Sequence, residues 1–123
     1  MPVNEITASR TEYALALTTA GIKVSAIIPE RIVPPVVIIS PGSPYLEPTT
    51  VADGWIMRLE LMVVAMTAVN VKATESLEKA LEALILANPD YARIQSIGQP
   101  YALQTNNTEF LAANVSVDIR ITI

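Results

Sequence analysis

Hydrophobic positions recur along this chain with two periods, and each period predicts a different element. Between Val3 and Ala20, residues Ile6, Tyr13, Ala14 and Leu17 fall near one helical face, with Glu5, Ser9 and Glu12 elsewhere. Gly21 then supplies a helix stop. Between Val71 and Ala87 the stripe is Ala73, Leu77, Ala80, Leu81 and Leu84. Glu75 and Lys79 form an i,i+4 pair on its wet face, and Asn70 or Thr74 is placed to cap it. Asn88-Pro-Asp ends it.

The other period is 2. From Ala113 to Ile123 alternate residues are apolar: Ala113, Val115, Val117, Ile119, Ile121 and Ile123. Trp55 to Val69 alternates cleanly through Glu60 and then turns apolar on both faces, as a strand does when it runs from a wet edge into a covered layer. Lys23 to Ile28 is a short strand closed by Pro29. Pro34-Pro-Val-Val-Ile-Ile-Ser is a continuous β-branched run, which predicts a strand covered on both faces, or on one face and by an interface. Arg93 to Leu103 reads as one strand interrupted at Gly98 and Pro100, and Thr105-Asn-Asn-Thr as a turn. Pro41 to Gly54 reads as a loop stiffened by proline. Its Tyr45 and Leu46 either pack over the domain edge or face a partner. Across an antiparallel pair, Asp118 and Arg120 are expected to oppose Arg58 and Glu60. The order α-β-β-β-α-β-β predicts a single α+β domain over 1–123. About five strands form a mainly antiparallel sheet with both helices packed on one face.

Composition changes the picture in one respect. The 123 residues are 51% hydrophobic but only 16% charged, against roughly 25% in an ordinary soluble domain. Aromatics supply only 5%, so the surplus is aliphatic. It is more than a monomer of this size needs, and it predicts an oligomer. Mean hydropathy is +0.42, yet no run approaches the ~20 apolar residues of a spanning helix. The opening Met1-Pro-Val-Asn-Glu-Ile has neither the basic nor the apolar stretch of a secretory signal, so cytoplasmic synthesis is expected.

Candidate chemistry is sparse. With no Cys and no His, thiol nucleophiles, thiolate metal sites and the Ser-His-Asp triad are excluded. Four glycines at 21, 42, 54 and 98 cannot build a phosphate loop. Glu75, Glu78 and Glu82 share a helix face, which reads as solvated rather than as a cation site. Glu60 reads as half of an ion pair. The eight basic residues are scattered singly, against a net charge of −4, so no patch for nucleic acid or anionic lipid is formed. No catalytic residue, metal site or cofactor is expected.

One segment carries a resemblance. Pro34-Pro-Val-Val-Ile-Ile-Ser-Pro-Gly-Ser-Pro-Tyr-Leu-Glu-Pro is preceded by an amphipathic helix and a short strand. It is followed by a strand starting at Trp55, a helix containing Ser76-Leu-Glu-Lys-Ala-Leu-Glu-Ala-Leu, a strand with Pro100-Tyr and a final alternating strand. This arrangement resembles the tail terminator (tail completion, head–tail joining) proteins of long-tailed bacteriophages over nearly the whole chain. The resemblance implies a non-enzymatic virion protein at the tail–head junction, assembled in the host cytoplasm. It implies a homohexameric ring that caps the tail tube, ends its polymerisation and joins the tail to the head connector. The genome would pass through the lumen without specific binding, and an acidic ring suits such a conduit. Its partners would be copies of itself, the tail tube protein and the connector or stopper protein, with no membrane. Tyr45, Leu46, Trp55, Ile119, Ile121 and Ile123 are the expected interface residues, and the apolar final strand is expected to add to a neighbour's edge. A neck or stopper protein on the connector side is the alternative within this class. A small ligand-binding α+β domain is the alternative outside it.

Overall fold

Asn4 starts the first helix, α1 (Glu5–Thr19), by accepting a 2.8 Å hydrogen bond from the Thr7 amide, one of the amides a helix start leaves unpaired. At the other end Gly21 takes a φ of +91°, which suits glycine. Its amide donates to the Thr18 carbonyl and the Ile22 amide to the Leu17 carbonyl, both at 3.0 Å. These crossed bonds make a Schellman end, and Ile22 and Leu17 both pack into the main core. The stop expected from Gly21 is present.

Residues 4–25, 35–50, 52–67, 71–105 and 108–123 are described in the structure, a computed structural model. Val3, residues 26–34, the 68–70 stretch with its expected cap Asn70, and the Asn106-Asn107 turn lie outside the described residues. Strand β1 (Val24–Ser25) pairs parallel with β2 (Val36–Pro48). β2 pairs antiparallel with β3 (Gly54–Thr67), from which the chain runs to the second helix, α2 (Val71–Ala87). Three strands follow: β4 (Ala92–Ile97), β5 (Tyr101–Thr105) and β6 (Thr108–Thr122). β6 pairs antiparallel with β3 along one side and with β4 and β5 along the other. The fold is α+β, with two helices and a mixed sheet of six described strands.

Three expectations need correction. The Arg93–Leu103 segment is two strands and not one, because Gly98 and Pro100 part it. The segment expected to be a loop continues β2 as far as Pro48. Its prolines are tolerated because, among the described residues, β1 pairs only with Val37 and Ile38, and no described strand on the outer edge beyond calls for an amide donor. The register steps between Pro41↔Leu59 and Leu46↔Met57, so Gly42, Ser43, Pro44 and Tyr45 together stand opposite Arg58. Gly42 suits this close approach, since an added Cβ would lie 3.0 Å from Arg58 Cβ and 3.1 Å from the Arg58 carbonyl oxygen. The third correction concerns the final strand. β6 has no free edge through most of its length; Arg120, Ile121 and Thr122 at its end, and Ala113 and Asn114 between the β4 and β5 pairings, pair with β3 alone.

The alternation in β3 builds two cores. Met57, Leu59, Leu61, Val63 and Ala65 point into the larger one, with Tyr13 and Leu17 of α1 and Ala73, Leu77 and Leu84 of α2. Val64 points the other way, into a smaller cluster with Val36, Ile38, Phe110 and Ala112 that contains no helix residue. The run Val36–Ile39 is buried throughout, as its β-branched composition predicts. Among the described residues no helix is long and apolar enough to cross a membrane.

Candidate functional site

The side of the sheet away from the helices changes character along its length. At one end stands the small apolar cluster, edged by half-buried Met62, Tyr101 and Leu103. Tyr101 Oη donates to Asn114 Oδ1 at 2.8 Å. Burial raises the Tyr101 phenol pKa, Glu60 adds to the rise, and the Asn114 bond opposes it. At the other end the face is charged. Arg58 stands directly opposite Asp118, as expected, with Nε 3.6 Å from Oδ1. Across the bulge it also donates to both Glu47 carboxylate oxygens, at 3.2 and 3.4 Å. The Glu47 bond raises the Arg58 pKa further, partial desolvation opposes this, and the charges of Glu47 and Asp118 add to it. Gln95 Nε2 donates to the other Asp118 oxygen at 3.0 Å. The expected pairing of Arg120 with Glu60 does not form: the register sets Arg120 against Ile56 and Glu60 against Ser116. Ser40 Oγ donates to the Glu60 carbonyl oxygen at 3.0 Å.

Beyond this network lies an open hollow of about 610 Å³. Ile56, Tyr91, Arg93 and Arg120 line it, with Asp90 and Asp118 on its walls. Arg93 and Arg120 are exposed and make no ion pair among the described residues. Partial burial raises the Tyr91 phenol pKa and Glu12 adds to it. Periodicity did not single out these residues, because they are drawn from β3, β4, β6 and the turn before β4. The signal was present only as scattered basic residues.

The sequence-predicted interface residues lie on the helix side. Ile119 and Ile121 are buried in the main core, at 1% and 5% exposure. Leu46, Met57 and Ile119 form one row across three strands, and Pro48, Trp55 and Ile121 the next. Tyr45, Leu46 and Trp55 are half-buried against the same core. The Tyr45 hydroxyl accepts a 3.4 Å bond from Arg10 of α1. That packing buries Ile119 and Ile121 within one chain and leaves Tyr45, Leu46 and Trp55 partly open to solvent. Ile123 differs: it is 55% exposed, its amide held at 2.9 Å by the Asp53 carbonyl.

Other large apolar residues are open to solvent. Val71 and Leu86, at opposite ends of α2, are 76% and 80% exposed, and Ile85 is 50% exposed. The helical wheel predicts their position, since both Val71 and Leu86 fall on the side opposite Leu77. Glu75, Glu78 and Glu82 are exposed between them, as expected of a wet face. No group of three or more acidic, His or Cys residues that could hold a metal occurs among the described residues. No protein-family model matches this chain, and no curated protein matches its sequence.

Proposed function

We propose that this chain is a non-enzymatic structural protein of a long-tailed bacteriophage virion, acting at the tail–head junction. In this reading it forms a homohexameric ring that caps the tail tube, stops its growth and joins it to the head connector. The two helices form a layer on one face of a mainly antiparallel sheet in each copy. DNA passes through the lumen unbound. The observation that supports the reading most is the course of the segment carrying the resemblance. Val36–Ile39 is buried on both faces, and the Pro-Gly-Ser-Pro-Tyr-Leu stretch continues the same strand against the one that holds Trp55. Exposed Val71, Leu86 and Ile123 add apolar surface that a neighbour would cover.

Sedimentation velocity on the purified protein tests this, with negative-stain imaging of the heaviest species. A ring of six copies is expected, and on addition to isolated tail tubes it caps one end. A monomer at every concentration, with no binding to tubes, overturns the reading. Rings that bind the connector and ignore the tube transfer the protein to the stopper side of the joint.

A further inference from the structure

The arginine hollow and the outer face of α2 have matching chemistry on opposite sides of one molecule. On α2, Glu78, Glu82 and Leu86 follow one another at i, i+4 and i+8 and so form a single line, about 6 Å from one to the next. All three are exposed, Leu86 by 80%. Lys72 and Lys79 lie to one side of this line. In the hollow, Arg93 stands opposite Asp118, and Arg120 is two residues further along β6. Such diagonal neighbours on a sheet are about 7–8 Å apart, close to the spacing of the two glutamates. Asp118 is already engaged by Arg58 and Gln95, so it does not compete strongly for either arginine. Asp90 and Asp118 match the two arginines in formal charge, so what the hollow offers is two guanidiniums without an ion pair among the described residues and not a net positive charge. Half-buried Ile56 and the partly exposed Tyr91 ring give it an apolar lining able to receive a leucine.

We infer that the hollow beneath Arg93 and Arg120 receives the outer face of α2 from a second copy of this chain. Glu78 and Glu82 meet the two arginines, and Leu86 enters against Ile56 and Tyr91. The occupant is another copy because the chain itself carries the complementary line of charge and leucine. One molecule cannot fill its own hollow, since α2 packs on the helix side of the sheet and the hollow opens on the other. The contact is therefore head-to-tail. Every copy offers one donor face and one acceptor face, and such contacts close into a ring or run on as a filament. This inference rests on the assembly reading and specifies which surfaces meet.

Charge reversal tests it. Arg93→Glu with Arg120→Glu makes the hollow acidic and leaves α2 unchanged. Glu78→Arg with Glu82→Arg makes α2 basic and leaves the hollow unchanged. Each double variant alone is expected to sediment as a monomer, with the circular dichroism and melting curve of the folded protein. An equimolar mixture is expected to recover assembly, because the acidic hollow of one then meets the basic helix of the other and the two unchanged faces meet as well. Misfolding of one variant cannot produce that recovery. A wild-type ring with either variant still assembling alone, or with the mixture remaining monomeric, overturns this pairing and leaves the ring reading standing. A wild-type chain that is monomeric at every concentration and binds no tail tube overturns both.

Discussion

β3 gives neighbouring residues opposite fates. Leu61 points into the core beneath the helices and is fully buried, while Met62, next in the chain, points to the other side and is half-buried. On the helix side the sheet is aliphatic from end to end, and α1 and α2 add Tyr13, Leu17, Leu77 and Leu84. On the other side an apolar cluster gives way to Arg58, Asp118 and the open hollow. The difference locates the stability of the fold in one face and leaves the other to vary its chemistry.

The strongest way to break that comparison is at Leu61. Leu61→Ala is expected to destabilise by about 2–5 kcal/mol, as buried leucine deletions do. Met62→Ala is expected to lose only about 1 kcal/mol. Denaturant unfolding of both variants checks this, and equal losses would show that the two faces bear on stability alike.

Tyr13 sharpens the helix-side account. Its hydroxyl donates to Asn88 Oδ1 at 3.2 Å, and Asn88 Nδ2 donates to the Ala92 and Pro89 carbonyls. The bond ties α1 to the turn after α2. Tyr13→Phe is expected to cost about 1 kcal/mol at neutral pH. Burial, with Tyr91 adding, holds the Tyr13 phenol well above its ordinary pKa. The folded state therefore keeps a proton that the unfolded chain releases near pH ~10. That contribution to stability is complete below pH ~10 and is lost as pH rises further. The deficit of Tyr13→Phe should accordingly shrink in alkaline melts. A deficit that stays constant from neutral pH to pH ~11 removes the burial account.

Gly42 tests the bulge. An alanine there meets the Arg58 backbone, which cannot swing aside, so Gly42→Ala is expected to destabilise by about 1 kcal/mol. An unchanged melting temperature would mean that the bulge yields. The smallest effect belongs to the charged face. Asp118→Asn removes one partner of the partly exposed Arg58 and should shift the melting temperature slightly at low salt and not at all at high salt.

Much of the fold was legible in the sequence. α2 and its buried face follow from 3.6-residue periodicity, and the Gly21 stop from local hydrogen bonding, which involve only neighbours in the chain. The apolar residues of α1 are barely one-sided, with Tyr13 and Leu17 buried and Leu15 exposed. The Arg58–Asp118 pair was legible because strand alternation places both residues on one face. The interface candidates were legible only as apolar residues. Periodicity tells that Ile119 and Ile121 avoid water but not which surface covers them, and their burial beneath the helices is a property of the packed layers. The continuation of β2 past Pro41 was hidden because proline marks a missing donor, and whether that donor is missed depends on the strand alongside.

The sequence alone determines the class of the fold, the alternation of each long strand, and a surface free of Cys and His chemistry. Short-range sterics and side-chain identity suffice for these. Tertiary structure decided that β6 is an inner strand with both edges taken. It also decided that Arg93, Arg120, Ile56 and Tyr91 share one hollow. Both outcomes depend on register between segments distant in the chain, and register is set by the packing of whole faces rather than by any one segment.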